Sequence, residues 1–394
     1  MREIKRRNFL KLSGLSLVPA LLPGLAANAH AAVIKIDAPV NTYISFTDDG
    51  VHYAPADYLA KLQEISQKDP IKADVYGQGG TLAKLTKRFA EITGKEAATY
   101  MPTGTMANQL AISVLNGENT KIFVQDTSHI YRDEADAAQS VFNKRLMPLA
   151  PGAAFFTLED LKAGINYVND GEVFKSGIGT VAIENPVRRC DGQQVPIEEI
   201  RKISAFCRSN GYKLHLDGAR IYLAAAVSGI SIAEYASNFD TIYISLYKYL
   251  GADGGAILCG DKAVIDKMEH LIKIHGGTVY SSWSKAAMAL YHLDGLEDRL
   301  KQTFIQANDL FSKLNKLPGI NINPIKGGSN IFDLKLTATD VKKFRQQLYE
   351  KHKVLVRNAN HEGVIKLQVN ETLLKTDNQS LVAAFTDALS SAKV

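Results

Sequence analysis

KLHLDGARIYLAAAVSGISIAEYASNFDTIYISLYKYLGADGGAILCG, Lys213 to Gly260, holds two short apolar runs with a helical stretch between them. Tyr212–Leu216 and Thr241–Leu246 are short, aliphatic and aromatic, and bounded by Gly or charge, so they are predicted to be buried strands. Ile221–Tyr235 is predicted to be a helix. The first strand runs into Asp217-Gly218-Ala219-Arg220. The second runs into Lys248, with Gly251 and Gly254-Gly255 close behind.

An acid and a lysine thus stand 31 residues apart, at the ends of neighbouring predicted strands. Alone, the pairing says little, because an Asp after a strand is usually a turn or capping residue and a lone Lys is usually solvated. It does suit one chemistry. Pyridoxal phosphate needs a lysine amine to bond its aldehyde and a carboxylate to keep its ring nitrogen protonated.

Stretches on either side agree. Asp74–Thr81 is a glycine-rich loop, followed by an amphipathic helix, Leu82–Thr93, that stops at Gly94. Pro102-Thr103-Gly104-Thr105 opens a helix at Met106–Leu115. Free backbone N–H groups at a helix start, with threonine hydroxyls beside them, suit a phosphate. Lys121–Gln125 is predicted to be a strand delivering His129, whose flat imidazole could both stack on a ring and move a proton. Gly179–Ile183 is a further strand, and Thr157–Val168 and Pro196–Asn210 are helices. Strands alternating with helices, with chemistry at the strand ends, predict an α/β fold with a mostly parallel sheet.

Downstream, Asp261–His275 and the long pattern Trp283–Asn315 are predicted to be helical. From about Leu317 the text changes to short strands alternating with Thr339–Lys351 and a last helix near Gln379–Ala392. The predicted organisation is a large domain, 56–316, after an N-terminal arm, 32–55, and then a smaller α+β domain, 317–394.

The first 31 residues are predicted not to belong to the fold. Arg6-Arg7 precedes an apolar run, Leu12–Leu25, and small residues at Ala27–Ala31 offer a cleavage site. This is similar to a twin-arginine export signal, which predicts passage through the Tat machinery to the periplasm or beyond. The segment carries five cations against Glu3, a charge of +4. The full chain of 394 residues carries +5, so the remainder is near +1 and no nucleic-acid partner is expected. Cys190, Cys207 and Cys259 are odd in number and lack metal-like spacing, so neither a disulfide framework nor a metal site is predicted.

Taken together, Asp74–Gly77 (DVYG), Gly94–Asn108 (GKEAATYMPTGTMAN), His129–Glu134 (HIYRDE), His215–Arg220 (HLDGAR) and Ser245–Gly251 (SLYKYLG) resemble, in order, the threonine aldolase and β-eliminating lyase group of fold-type I pyridoxal-phosphate enzymes. The resemblance implies that Lys248 bonds the cofactor, that Asp217 pairs with its ring nitrogen and that Arg220 lies near its phenolic oxygen. It implies further that Thr103, Gly104 and Thr105 hold the phosphate and that His129 stacks on the ring. Thr47, Tyr76, Lys366 and Arg357 become candidate substrate contacts, and a homodimer or homotetramer is implied.

The expected activity is cleavage or β-elimination of a β-hydroxy or other β-substituted amino acid. An aminotransferase or racemase, and an exported binding protein that keeps the fold without turnover, are the alternatives. The family's usual carboxylate-clamping Arg is matched here by Lys366, a point charge in place of a planar fork, with Arg357 close by. Its glycine-rich Arg segment is Gly276–Trp283, without the Arg. Its Glu-Asn strand end continues here into Pro186-Val187-Arg188-Arg189.

Overall fold

Strand β1 is Ile44–Ser45. β2 is Ala97–Met101, β3 is Lys121–Gln125, β4 is Arg145–Leu149 and β5 is Ile178–Glu184. β6 is Lys213–Asp217, β7 is Thr241–Ser245 and β8 is Ala256–Gly260. These assignments come from a computed structural model that describes residues 43–394. The predicted export signal and residues 32–42 of the predicted arm lie outside the described residues.

Seven strands make the main sheet, in the order β2-β8-β7-β6-β5-β3-β4. The pairings from β7 through β6, β5 and β3 to β4 are all parallel, and β8 runs antiparallel to both β7 and β2. The fold is therefore the expected α/β class with a mostly parallel sheet. β3, β5 and β7 are buried along nearly their whole length, which is why they read as continuous apolar runs.

Register sets the site. Glu184 pairs with Asp217, and Asp217 pairs with Tyr243. Partners in register point to the same face of a sheet, so three polar side chains stand in a row at the carboxyl ends of three adjacent strands.

Glycine and capping chemistry divide the longer predicted helices. The helix expected over 221–235 breaks into Ile221–Ser228 and Ile232–Ala236. Gly229 takes a left-handed conformation (φ 75°), and the Ser231 side chain then caps the second piece. The span 261–275 likewise splits into Lys262–Ile265 and Met268–Ile274. The long pattern 283–315 becomes Trp283–Leu293 and Leu296–Leu314, turned at Gly295 (φ 64°).

The smaller sheet has the order β12-β10-β9, from β9 (Ile320–Pro324), β10 (Ile331–Leu336) and β12 (Val364–Gln368). β1 pairs in parallel with β11 (Val354–Leu355), so residues expected in an arm belong with the small sheet's core. Only Ile44 and Ser45 of this stretch pair, because the chain bends from Phe46 onward.

No break in packing falls at 316/317. In the helix Leu296–Leu314, Leu296 and Leu300 join the large core, while Ala307, Leu310, Phe311 and Leu314 join the small one. One rigid rod serves both cores, and the described residues form one compact unit.

Candidate active site

At the carboxyl ends of β5, β6 and β7 lies a cavity of about 370 Å³. Thr103, Gly104, Thr105, His129, Asp217, Arg220 and Lys248 all line it. The expected lysine and acid therefore face one space. Lys248 is only 8% exposed. Burial pulls its amine down to about 8, and the nearby Arg220 cation pulls the same way. A sizeable fraction of this lysine is then uncharged just above neutral pH, the state in which nitrogen is a nucleophile.

Asp217 closes β6 and is buried. One carboxylate oxygen accepts the Ala219 amide (3.2 Å) and the other accepts Asn108 Nδ2 (3.0 Å). Arg220 lines the same wall. Its Nε and Nη2 donate to Asp49 at 2.8 and 2.9 Å, a bidentate pair. Burial would raise the Asp49 carboxyl, but Arg220 outweighs it and holds the group below its ordinary value.

The helix Gly104–Asn116 points its amino end at the cavity, capped by the Thr103 side chain, which accepts from Met106 N at 3.1 Å. Gly104 sits so close to Tyr243 that an added Cβ would collide with the phenol hydroxyl. The wall opposite includes Gly254 and Gly255. Free N–H groups, a helix dipole and two threonine hydroxyls make this end of the cavity an anion cradle.

His129 is held at both ends by acids. Its backbone N–H donates to Glu184 Oε2 (2.7 Å), and its Nδ1 meets Glu134 Oε1 (3.0 Å). The Glu134 contact raises the imidazole above its ordinary value against the pull of burial. Burial, with Asp217 nearby, lifts the Glu184 carboxyl to about 7. Ligand-type atoms of His129, Glu134 and Asp217 lie within 4.8 Å of one another, and all three are engaged in hydrogen bonds.

Asp133 and Arg220 also wall a second cavity of about 500 Å³, lined by Thr47, Asp49, Arg188, Arg189, Arg357 and Gln368 among others. Thr47 and Arg357 are thus brought to the rim of the lysine cavity. Arg357 Nη2 donates to Thr47 O (2.5 Å) and to Gln368 Oε1 (2.6 Å). Among the described residues it meets no carboxylate.

Two expected contacts lie elsewhere. Lys366 is tied to Asp191 and Asp333, each at 2.7 Å, and lines neither cavity. Its charge is already matched, so it is not free to clamp a substrate carboxylate. Tyr76 is 56% exposed and lines a separate cavity of about 560 Å³ with Tyr100, Pro102 and Lys273. A tight turn bridging Val75 and Gln78 aims it outward, and its N–H donates to Tyr280 O.

Sequence reasoning assigned no role to Asn108, Glu134, Asp49, Glu184 or Gln368. Asn108 and Glu134 sit inside motifs quoted above, but a motif does not reveal which of its side chains meet. Asp49 and Gln368 approach the site from opposite ends of the chain, where spacing carries no signal.

A family model described as beta-eliminating lyase matches residues 61–337. The chain is similar to a low-specificity L-threonine aldolase of Candida albicans, 36% identical over 222 residues, 56% of this chain and 59% of that one. A low specificity L-threonine aldolase of Saccharomyces cerevisiae is 34% identical over 238 residues, 60% of each chain. The chain therefore spans about three-fifths of the length of these curated relatives. Among solved structures, a protein of Exiguobacterium sp. 255-15 assigned as an aromatic amino acid beta-eliminating lyase/threonine aldolase superposes with a TM-score of 0.74. It is 25% identical, over 89% of this chain and 98% of that one.

Proposed function

The chain belongs to the beta-eliminating lyase family, and from that premise we propose that it is a pyridoxal-phosphate-dependent lyase cleaving threonine or a similar β-hydroxy amino acid to glycine and an aldehyde. The observation that carries this reading is the single cavity shared by the buried Lys248 amine, the Asp217 carboxylate and the helix start at Thr103–Thr105. The names of the yeast relatives support the substrate class.

The residues fit the cofactor. Gly104 keeps the cradle open where any side chain would strike Tyr243, and the donor set there suits a phosphate. Among the described residues Asp217 accepts from neutral donors only, which leaves its charge free to hold a proton on a ring nitrogen. Lys248 offers an amine already shifted toward its reactive form. Bound there, pyridoxal phosphate supplies an electron sink for the pair released at the substrate's Cα.

This chain's residues do the rest. His129 flanks the ring position and handles a proton. Arg220, fixed by Asp49, stands at the rim. Arg357 is the group best suited to bind the α-carboxylate, since its fork is oriented by neutral acceptors and Thr47 lies beside it. β-Elimination would use the same residues, with Lys248 taking the Cα proton.

We also propose export through a twin-arginine signal, supported by Arg6-Arg7, the apolar run and the small residues before Ala32. N-terminal sequencing of the periplasmic or secreted form checks it: a processed chain beginning near Ala32 is expected. A homodimer or homotetramer is supported by the exposed Tyr76, Tyr280 and Val279 beside the third cavity.

The test of function is direct. Purified protein given pyridoxal phosphate should gain a visible absorption band and should release glycine and acetaldehyde from threonine or allo-threonine. A bound cofactor that turns over none of the β-hydroxy amino acids would overturn the proposal.

A further inference from the structure

Glu134 is only 3% exposed, in the loop after the short helix His129–Arg132, and three side chains donate to it. Asn108 Nδ2 reaches Oε1 at 2.8 Å, Gln109 Nε2 reaches Oε2, and His129 Nδ1 lies 3.0 Å from Oε1. Asn108 Nδ2 also donates to Asp217 Oδ2, so both its hydrogens are used and its oxygen must accept. That oxygen faces His215 Nε2 at 3.0 Å, and His215 Nδ1 faces Thr241 Oγ1 at 2.8 Å. The direction of every bond in the network follows. His215 is neutral with its proton on Nε2, Asn108 is locked as a double donor, and Glu134 is a pure acceptor. The proton between Glu134 and His129 therefore belongs to Nδ1. Among the described residues Nε2 has no protein partner, and His129 lines the cavity with Lys248 and Asp217.

We propose that Glu134 is the positioning residue for His129: by holding a proton on Nδ1, it leaves the Nε2 lone pair to receive the β-hydroxyl proton of the substrate. The proposal rests on the aldol-cleavage reading. The O–H bond breaks and its proton passes to Nε2. The O–H electron pair becomes the second bond of the aldehyde carbonyl as Cα–Cβ breaks, and the Cα–Cβ pair is left at Cα. The proton then returns from His129 to Cα to complete glycine, so none is gained or lost. Asp217 from β6, Glu184 from β5 and the adjacent Asp133 also face His129, and all are acids that favour its cation. Among the described residues, Glu134 alone touches a ring nitrogen of His129.

Glu134→Gln tests this, because an amide offers one acceptor oxygen to three donors. Imidazole titrations followed by NMR in the cofactor-free protein, with His129→Phe used for assignment, should show the His129 midpoint falling by roughly one pH unit. In the loaded enzyme kcat should drop roughly 10- to 100-fold, with KM little changed and the acid limb of the pH profile moved down. Glu134→Asp should recover part of both effects. An unmoved His129 midpoint in Glu134→Gln would overturn the proposal. Should that variant not fold, Gln109→Met removes one competing donor and should raise the midpoint; no change there overturns it equally. If the unsubstituted protein cleaves no β-hydroxy amino acid, the lyase reading fails, while the titration still judges the Glu134–His129 pair.

Discussion

The lysine cavity and the arginine-lined cavity beside it share a wall yet are built in opposite ways. The first stands on strand ends and a helix start. Its key groups, Asp217, Glu184 and Lys248, are nearly dry and are held by fixed neutral donors or shifted by burial. The second is assembled from stretches far apart in the chain, around residues 47–52, 188–192 and 330–331, with Asp133, Arg220, Arg357 and Gln368. Two of its arginines are paired, Arg220 with Asp49 and Arg189 with Asp133, while Arg357 meets no carboxylate among the described residues. The proposed function puts chemistry in the first cavity and substrate choice in the second.

That contrast breaks most easily at Lys248. Lys248→Ala should abolish the visible band and lower turnover on the order of 10⁴-fold, while the fold survives loss of a single amine. Turnover near the unsubstituted level would end the assignment of chemistry to the first cavity. Arg357 gives a smaller effect. Arg357→Ala should raise KM about 10- to 100-fold, the value of one charge-assisted contact, and change kcat less. Lys366→Ala should leave KM nearly untouched, because Asp191 and Asp333 already claim that charge. Steady-state kinetics on the two variants checks both, and a larger KM effect at Lys366 would reverse the roles assigned here.

The smallest effect sharpens the comparison through stability. His215, beneath the first cavity, is pushed down to about 4 by burial, as is His292. A depressed folded-state value means that the neutral form is favoured in the fold. That stability is fully present above the unfolded value of about 6.5 and is lost as pH falls toward 4. Thermal midpoints should therefore decline between pH 6.5 and 4, and His215→Asn should decline less steeply than the unsubstituted protein. Equal slopes for the two would remove the acid sensitivity from this network.

Much of the dry site was legible because it depends on neighbours along the chain. A strand that ends in Asp217, a helix start at Thr103–Thr105 and a lysine just past β7 are each announced by a few consecutive residues. The parallel alternation then puts them at one sheet edge. β2, β4 and β8 were harder to see. β2 and β4 carry few fully buried positions, and β8 follows so closely on the glycines after Lys248 that it reads as their continuation.

Amino-acid order was enough for the α/β class and for a lysine and an acid at the ends of neighbouring strands, because short-range periodicity and strand-end position carry that information. Three-dimensional packing alone could show that Glu134 meets His129, that Asp49 reaches Arg220 from 171 residues away, and that Lys366 is already neutralised while Arg357 is not. Those facts depend on side-chain direction and on which charges happen to meet after folding. Neither is written in the spacing of residues along the chain.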